Sequence, residues 1–244
     1  MTAKCAVITG ASRGIGAAAA EKFAGEGWNL CLTCIRSGER LEHLARRLHG
    51  EFGITCLPFT GDMGNEKDVE KCFRLVQERF GRLDALVNNA GISRTGLLTD
   101  LTLSQWEDIM RTNTTSVFLC SRQAVPSMLR LGSGAIVNVS SVWGCVGASC
   151  ETAYSASKGA VNALTMALAK ELAPSGIRVN AVACGAIDTD MNACFTEEEK
   201  AALAEEIPAG RFGLPSEAAD LIFSLCVRSS YLTGQVIRLD GGWI

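Results

Sequence analysis

Tyr154 and Lys158 have the residue types and the spacing that most directly suggest chemistry. They are four positions apart, so on a helix they lie on the same face and a phenol stands next to an ammonium group. A free phenol has a pKa of about 10 and is a poor acid–base catalyst near neutral pH. A neighbouring positive charge favours the phenolate and lowers that pKa. The pair therefore predicts a group that exchanges a proton with a substrate oxygen.

Ser141 follows the apolar segment AIVNVS at 135–140, which has the composition of a buried strand. A hydroxyl at the end of that strand can hold the same substrate oxygen as the phenol. A Tyr and a Lys four residues apart are common by chance, and in an arbitrary sequence they are a partly buried Tyr and an exposed Lys. The pair gains its meaning from Ser141 and from a glycine-rich loop near the N-terminus.

The glycine-rich loop has the sequence TGASRGIG at 9–16. It follows the strand-like segment CAVIT at 5–9 and precedes a helical segment, which is the context in which such a loop binds a dinucleotide. Glycines let the backbone turn tightly and approach a pyrophosphate, while the helix N-terminus presents free N–H groups to it. The loop predicts a dinucleotide site, with a purely structural glycine turn as the alternative.

The position that selects the dinucleotide carries no acid. About 20 residues beyond the glycines, a fold of this kind places an acidic residue on the adenine ribose when it uses NAD. Here the residues are Cys34, Ile35 and Arg36, and the next carboxylate is Glu39. We expect Arg13 and Arg36 to face no nearby acid and to hold a 2′-phosphate through bidentate hydrogen bonds. This favours NADP(H) over NAD(H), the alternative being two solvated surface arginines.

Short apolar, β-branched segments alternate with longer segments of helical periodicity along the chain. The alternation predicts an α/β fold: a Rossmann-type, doubly wound, seven-stranded parallel sheet with helices on both faces. No Pro- or Gly-rich linker divides the sequence, so a single domain is expected over residues 1–244. Strands are predicted at 5–9, 29–34, 54–59, 84–89, 135–140, 177–183 and 235–239, and helices at 15–26, 38–52, 65–80, 104–129 and 153–173.

Two segments carry further local signals. Ser104 and Glu107 have the spacing of a capping box and predict where the helix at 104–129 begins. The long polar segment 186–212 predicts a lid over the substrate site, because long insertions in compact domains often have that role. Within it, Thr196 and Glu199 have the spacing of a second capping box and predict a short helix.

The composition argues against several function classes. A formal net charge of −3 over 244 residues gives no electrostatic reason to expect nucleic acid or an anionic membrane as a partner. The two histidines, His43 and His49, share one charged segment, so a Ser-His-Asp hydrolase and a multi-histidine metal site are not expected. Eleven irregularly spaced cysteines, with no signal peptide or spanning segment, predict reduced thiols and a cytoplasmic protein without metal.

Several sulfur-containing residues have structural interpretations. Cys31 and Cys34 lie on a predicted strand, where residues three apart point to opposite faces, so they cannot hold one metal ion together. Met110, Met128 and Met166 lie in predicted helices and are expected to fill the core.

The chain resembles a short-chain dehydrogenase/reductase over essentially all of its length. The resemblance rests on TGASRGIG at 9–16, on Asp62, on NNAG at 88–91 and on the tetrad formed by Asn113, Ser141, Tyr154 and Lys158. It implies that Asn113 supports a water chain to Lys158, that Asp62 bonds adenine and that the nicotinamide carboxamide is held after the sixth strand. The implied cofactor-binding residues are Gly10, Ser12, Arg13, Gly14, Ile15, Gly16, Arg36, Asp62, Met63, Asn89, Ala90, Gly91, Tyr154, Lys158, Ile187 and Thr189.

Within that family the chain is most similar to bacterial 3-oxoacyl-[acyl-carrier-protein] reductases. The similar segments are YSASKGAVNALTMALAKEL at 154–172, IDTDM at 187–191 and TGQVIRLDGG at 233–242. The similarity implies a homotetrameric, NADPH-dependent ketoreductase of fatty acid biosynthesis, acting on a 3-oxoacyl thioester borne by an acyl carrier protein. Small residues on the Tyr-Lys helix allow close packing between subunits, or equally against the sheet: Ala160, Ala163 and Ala167.

Two departures from this subgroup concern the substrate. The Pro-Gly that usually follows the sixth strand is Cys184-Gly185 here, which places a thiol beside the nicotinamide. The positions where the resemblance would place basic residues for a carrier protein fall near Gly132 and Ser175, which are not basic. The neighbouring arginines are candidate substitutes: Arg130 and Arg178.

The sequence is also compatible with other functions. The segment SSVWGCVGASCE at 140–151 resembles a clostridial subgroup that includes reductases of a 5-aminopentanone modification on elongation factor P. This is also a ketone reduced by NADPH, so the chemistry is unchanged. A reductase of another ketone or of a hydroxysteroid uses the same fold. A non-catalytic NADP-binding sensor is a more remote alternative, because such proteins typically lose the Tyr or the Lys.

Overall fold

A seven-stranded parallel sheet forms the centre of the chain and confirms the predicted fold class. The computed structural model describes residues 3–192, 195–228 and 230–244. The strand order is β3-β2-β1-β4-β5-β6-β7, and every neighbouring pair is parallel. The strands are β1 (Cys5–Ile8), β2 (Asn29–Cys34), β3 (Cys56–Thr60), β4 (Ala85–Asn88), β5 (Gly134–Ser141), β6 (Ile177–Cys184) and β7 (Val236–Leu239).

Helices cover both faces of the sheet. Their bounds are α1 (Gly14–Gly25), α2 (Gly38–Phe52), α3 (Glu66–Phe80), α4 (Leu103–Met110), α5 (Ser116–Leu131), α6 (Trp143–Val146), α7 (Thr152–Leu172), α8 (Glu197–Glu206) and α9 (Pro215–Val227). Helices α1, α2 and α9 bury their apolar residues on one face, and α3, α5 and α7 on the other. Covering both faces explains why the central strands β1, β4 and β5 are buried along almost their whole length, since neither side of them meets water.

The strand β1 lies beside β2 on one side and β4 on the other, so the strand order reverses at this point. In doubly wound sheets, ligands bind in the crevice outside the carboxyl ends of the strands at such a reversal. The loops that follow β1 and β4 are TGASRGIG and NNAG, the two motifs assigned to the cofactor. The topology therefore places both motifs at the same edge of the sheet.

The predicted helix at 104–129 is two helices, which corrects the prediction. Between α4 and α5, residues Arg111–Thr115 form a π-helical turn, and Asn113 in this turn is completely buried. The predicted capping box is also wrong. Thr102 and Gln105 form it, with Thr102 Oγ1 accepting from Gln105 N at 3.3 Å. These two residues satisfy the same spacing rule two positions earlier, so Ser104 lies inside the helix.

The helix α9 has no counterpart among the predicted elements. Its start was readable from Pro215 at the first helical position and from Glu217, whose carboxylate accepts a hydrogen bond from Leu214 N at 2.7 Å. The helix packs on α1, where the Phe223 and Phe23 ring centroids are 4.9 Å apart in an edge-on arrangement. This contact closes the core on the face that carries the glycine loop.

The side-chain expectations for sulfur-containing residues are partly confirmed. Cys31 and Cys34 point into the cores on opposite faces of the sheet, as the strand geometry predicts. Met128 is fully buried and Met110 is partly buried. Met166 is 43% exposed, so the expectation that it fills the core is wrong. The sheet-facing side of α7 is formed by other residues of that helix: Val161, Thr165 and Ala169.

Candidate active site

A cleft with a volume of about 1590 Å³ opens at the carboxyl ends of the strands. Tyr154, Lys158 and Ser141 line one part of it, and the glycine loop and the start of α2 line another. Gly16 and Asn113 are the two predicted site residues that do not line it. The predicted residues that do are Gly10, Ser12, Arg13, Gly14, Ile15, Arg36, Asp62, Met63, Asn89, Ala90, Gly91, Ser141, Tyr154, Lys158, Ile187 and Thr189.

Two glycines of the loop are required by the protein's own packing. Gly10 has φ +65°, and a Cβ there would lie 2.8 Å from Ala90 Cα. A Cβ on Gly16 would lie 2.4 Å from Gly10 O and 2.5 Å from Asn89 Nδ2. All three distances are shorter than real Cβ atoms show, so a side chain at either glycine would push the loop away from the segment after β4. Gly16 therefore shapes the cleft from behind without lining it.

The segment after β4 holds the loop by hydrogen bonds. Thr9 Oγ1 accepts from the backbone N–H groups of Asn89 and Ala90, both at 3.0 Å. Asn89 Nδ2 donates to Thr9 O at 2.9 Å and to Gly10 O at 3.0 Å. These bonds pair polar groups of a tight turn that would otherwise be left without partners in a part-buried place. They give NNAG a structural role in fixing the glycine loop.

The N-terminus of α1 suits an anion. Within the described residues, Arg13 at the N-cap makes no side-chain cap, and the first turn of α1 contains no acidic residue. Free N–H groups and the positive end of the helix dipole therefore face the cleft, which fits a pyrophosphate. A Cβ on Gly14 would lie 3.3 Å from Thr189 Cγ2, so the segment after β6 lies against this helix end.

Tyr154 is almost completely buried beside Ser141. The neighbouring Ser141 hydroxyl favours the phenolate and lowers the pKa of Tyr154, but burial has the larger effect and raises the pKa well above its ordinary value. The expectation of a lowered Tyr154 pKa is therefore wrong for this structure, because burial outweighs the effects that favour the phenolate. Lys158 Nζ donates to Val139 O at 2.7 Å and lies 5.7 Å from the centroid of the Tyr154 ring. Because a buried phenolate is costly, the phenol stays protonated at neutral pH.

Lys158 is buried and its pKa is lowered to about 8, because burial penalises the charged ammonium. A Lys pKa near 8 still leaves most of the side chain charged at pH 7. Cys184, which lines the same cleft, acts in the opposite direction on Lys158 and has its own pKa raised to about 12 by burial. The thiol that replaces the usual proline is therefore protonated at neutral pH.

The lowered pKa of Lys158 makes stability depend on pH. Between pH 8 and 10.5 the folded protein loses this proton before the unfolded chain does, so the unfolded chain binds more protons and stability rises with pH. Relative to Lys158→Met, the wild-type free energy of unfolding should rise by on the order of 3 kcal/mol from pH 7.5 to 10.5. Urea titrations of both proteins measure this. A difference that stays constant or falls with pH would contradict the assignment.

Asn113 is held by bonds that use its whole side chain. Its Oδ1 accepts from Ile92 N at 2.8 Å, and its Nδ2 donates to Ile92 O at 2.8 Å and to Ser157 Oγ at 3.0 Å. The residue thus joins the segment after β4 to the helix α7, directly before Lys158. Gly91 lies beside both groups, since a Cβ there would be 3.5 Å from Lys158 Nζ and 3.4 Å from Asn113 Oδ1.

The carboxylate assigned to adenine has a partner that the sequence did not indicate. Asp62 Oδ1 accepts from Gly64 N at 2.8 Å, and Arg111 donates to Asp62 Oδ2. The pair forms because α4 and the π-helical turn bring Arg111 to the loop after β3. Asp62 and Met63 both line the cleft, as does Arg36.

The expectation that Arg13 and Arg36 face no nearby acid is wrong for Arg13. Asp190 Oδ2 lies 3.5 Å from Arg13 Nη1 and 3.3 Å from Arg40 Nη1. Both Asp190 and Arg40 are far from Arg13 in the sequence, so local spacing could not have revealed the cluster. The loop after β6 brings the acid there, because it crosses the glycine loop at Thr189.

Two tryptophans that the sequence analysis did not assign line the cleft on the catalytic side. The Trp143 and Trp243 ring centroids are 4.9 Å apart at an interplanar angle of 64°. Trp143 lies two residues after Ser141, and Trp243 is positioned by a turn in which Asp240 accepts from Gly242 N and Ile244 N. Contacts made by the last residues of a chain have no periodic signal, so this pair could not be predicted.

The two arginines offered for carrier docking do not behave alike. Arg178 donates to Leu225 O at 2.6 Å and to Cys226 O at 2.9 Å, so it binds the C-terminal carbonyls of α9 and is not free to dock a carrier. Arg130 is exposed and donates to Gln77 Oε1 at 2.8 Å.

The prediction of a short helix in the segment 186–212 is confirmed, since Thr196 and Glu199 form the capping box of α8.

In the described part of the chain, no three His, Cys, Asp or Glu side chains are grouped so that they could hold a metal ion. Among the helices described, none has the length and apolar character needed to cross a bilayer.

The chain is similar to known proteins over most of its length. A family model described as short chain dehydrogenase matches residues 4–200. The uncharacterized oxidoreductase YmfI of Bacillus subtilis is 43% identical over 241 residues, covering 98% of each chain. The 3-oxoacyl-[acyl-carrier-protein] reductase FabG of Aquifex aeolicus is 40% identical over 240 residues, covering 98% of this chain and 96% of that protein. FabG of Staphylococcus aureus is also 40% identical, with coverages of 98% and 97%.

Proposed function

Because the chain belongs to the short-chain dehydrogenase family, we propose that it is an NADPH-dependent reductase of a 3-oxoacyl thioester. The observation that carries the proposal is the buried, protonated Tyr154 hydroxyl beside Ser141, in the same cleft as an uncapped helix N-terminus and a cluster of arginines. A proton donor and an anion-binding end in one cleft are what reduction by a phosphate-bearing cofactor requires.

The proposed cofactor site divides into three parts. The N-terminus of α1 would hold the pyrophosphate, and Arg13 and Arg36 would hold the 2′-phosphate. The start of α2 supports this choice, because within the described residues Ser37 at its N-cap makes no side-chain cap and the first N–H groups stay available to an anion. Adenine would lie near Asp62 and Met63, and the nicotinamide near Ile187 and Thr189, as the family resemblance implies.

Bound NADPH supplies the hydride for the carbonyl carbon. Tyr154 donates its hydroxyl proton to the carbonyl oxygen, and Ser141 donates a hydrogen bond to the same oxygen. Reduction needs the protonated phenol, which is the form of Tyr154 at neutral pH; its raised pKa makes it a weaker acid, so the phenolate that forms must be stabilised. Lys158, mostly charged at pH 7, stabilises the phenolate that remains. Asn113 keeps α7 in place through Ser157, and the water chain to Lys158 remains part of the proposal.

The relatives support the proposed substrate, and the family resemblance implies the proposed assembly. The FabG proteins are named as 3-oxoacyl-[acyl-carrier-protein] reductases, and their similarity to this chain covers its whole length. We accordingly propose an acyl carrier protein as partner and a homotetramer as the assembly. Exposed apolar residues on α5 and α7 support contact with other subunits: Phe118, Leu129 and Met166.

A second candidate is the reductase of a 5-aminopentanone group on elongation factor P. Acidic residues favour it, because Glu151, Glu199 and Glu206 line the catalytic side of the cleft and α8 carries five Glu and one Lys. A cationic amine would be attracted by these carboxylates and by the tryptophan faces of Trp143 and Trp243. The same charges would repel an acidic carrier.

Oxidation of NADPH with a panel of ketones tests both candidates. The panel comprises acetoacetyl-CoA, acetoacetyl-carrier protein, a ketosteroid and elongation factor P bearing the ketone. We expect turnover of the acetoacetyl thioesters, faster with NADPH than with NADH and slow on the carrier protein. Turnover confined to the modified elongation factor would favour the second candidate. Tight NADPH binding without turnover of any ketone would contradict the reductase proposal.

A further inference from the structure

Asp190 lines the cleft and lies between two arginines: Arg13, which also lines the cleft, and Arg40, which does not. Its Oδ2 atom is 3.5 Å from Arg13 Nη1 and 3.3 Å from Arg40 Nη1. Arg13 precedes α1, Arg40 lies in the first turn of α2, and Asp190 begins the short 3₁₀ turn after β6. Three separate elements thus converge on one carboxylate, which neutralises arginines in the region where an anion is expected to bind.

The position of Asp190 relates it to the phosphates of a dinucleotide. Its neighbour Thr189 lies against Gly14, at the start of the helix that suits the pyrophosphate. Asp190 lines the cleft together with Arg36 and Ser37, whose backbone precedes α2. A carboxylate in this place attracts Arg13, which the proposed function assigns to the 2′-phosphate, and it repels the phosphate itself.

We propose that Asp190 is a specificity-determining residue that competes with the 2′-phosphate of NADPH for Arg13 and Arg40. The inference rests on the proposed function in taking NADPH as the cofactor. A phosphate carries more charge than a carboxylate and offers three acceptor oxygens, so it displaces Asp190. The three side chains are about half exposed, and exposed ion pairs are weak enough for such an exchange.

The backbone around Asp190 is held independently of its carboxylate. Asp188 N donates to Gly213 O and Gly213 N to Ala186 O, both at 2.9 Å. Asn192 N donates to Thr189 O at 2.9 Å, and Asn192 Nδ2 donates to Ile187 O at 2.7 Å. The side chain of Asp190 can therefore leave the arginines while the segment keeps its position. For the same reason, Asp190→Asn should preserve the fold.

The competition predicts that removing the charge improves binding of the phosphorylated ligand. Asp190→Asn should lower the Kd for NADPH and for adenosine 2′-monophosphate by about three- to tenfold, and the Kd for NADH by less than about twofold. Arg40→Gln should raise the Kd for NADPH and should reduce the gain produced by Asp190→Asn. The gain should shrink from about 20 mM to about 300 mM salt, because exposed charges are screened.

Fluorescence titration with the two cofactors and isothermal titration with adenosine 2′-monophosphate measure these constants without any substrate. Asp188→Asn is the matched control, since it makes the same charge change on an exposed residue that does not line the cleft. Thermal unfolding of each variant checks the fold, and Asp190→Ala provides a second removal of the charge.

The direction of the change decides the proposal. If both Asp190 variants bind NADPH more weakly, the carboxylate helps to retain the cofactor, and the proposal is overturned. If the Kd values for NADPH and NADH change equally, Asp190 has no effect on 2′-phosphate selectivity, and the proposal is also overturned. A wild-type protein that binds NADH as tightly as NADPH would contradict the proposed cofactor. In that case the change in the Kd for adenosine 2′-monophosphate caused by Asp190→Asn would still decide the role of Asp190.

Discussion

Tyr154→Phe should lower kcat for ketone reduction by about a thousandfold while leaving the Kd for NADPH within about twofold of the wild-type value. The substitution removes one oxygen atom from a buried ring and leaves the ring in place. The lost hydroxyl is the proposed proton donor, and positioned general acids of this kind contribute on the order of 10²- to 10⁴-fold in rate. Stopped-flow measurement of NADPH oxidation at saturating ketone gives kcat, and fluorescence titration gives the Kd.

Tyr231→Phe is the matched control, because the chain has only these two tyrosines and Tyr231 is fully exposed. Its kcat should equal that of the wild type. A Tyr154→Phe variant that keeps more than about a tenth of the wild-type kcat would reject Tyr154 as the acid. A variant that loses NADPH binding as well would indicate that the hydroxyl acts mainly in holding the cofactor.

Arg36→Asp should raise the Kd for NADPH by about 10- to 100-fold and the Kd for NADH by less than about threefold. Arg36 is exposed at the end of β2 and lines the cleft beside Ser37. The change replaces a bidentate donor by a carboxylate at the proposed 2′-phosphate site, so it removes an attraction and adds a repulsion.

Arg46→Asp provides the control for this charge reversal. Arg46 is exposed on α2, the helix that follows Arg36, and does not line the cleft. Its effect on both cofactors should be small and should disappear at high salt. Equal losses of NADPH and NADH affinity in Arg36→Asp would remove Arg36 from the phosphate site.

The strands and most helices were predictable because their signals are local. Apolar β-branched segments alternate with helical periods, and this order alone specifies a parallel sheet covered on both faces. The observed strand bounds differ from the predicted ones by two residues at most. The division of the helix at 104–129 was not predictable in this way, because the π-helical turn at Arg111–Thr115 leaves the apolar pattern unbroken.

The positions of the main site residues could be predicted because the topology brings their strand ends together. Ser141 ends β5 and faces Tyr154 on α7, and the loops after β1 and β4 meet in the glycine contacts at Gly10 and Gly16. The partners Asp190 and Arg111 could not be predicted, because they depend on how loops cross the sheet edge. Trp243 could not be predicted for the same reason.

The direction in which the pKa of Tyr154 is shifted also could not be predicted from the spacing of residues in the sequence. Four residues on a helix bring Lys158 near the phenol, but spacing does not reveal that Val139 O accepts the hydrogen bond from its ammonium group. Burial depends on the packing of the whole cleft, and here it has the larger effect on Tyr154. The phenol is therefore neutral at neutral pH in this structure.

A crystal structure of the complex with NADP⁺ and an unreactive ketone analogue tests the central claim most directly. We expect the Tyr154 Oη and Ser141 Oγ atoms to lie within about 2.6–3.2 Å of the analogue's oxygen, with the nicotinamide ring against the carbonyl carbon. A Tyr154 hydroxyl that points away from the nicotinamide, or that lies beyond hydrogen-bonding reach of both the analogue and Ser141, would contradict the account.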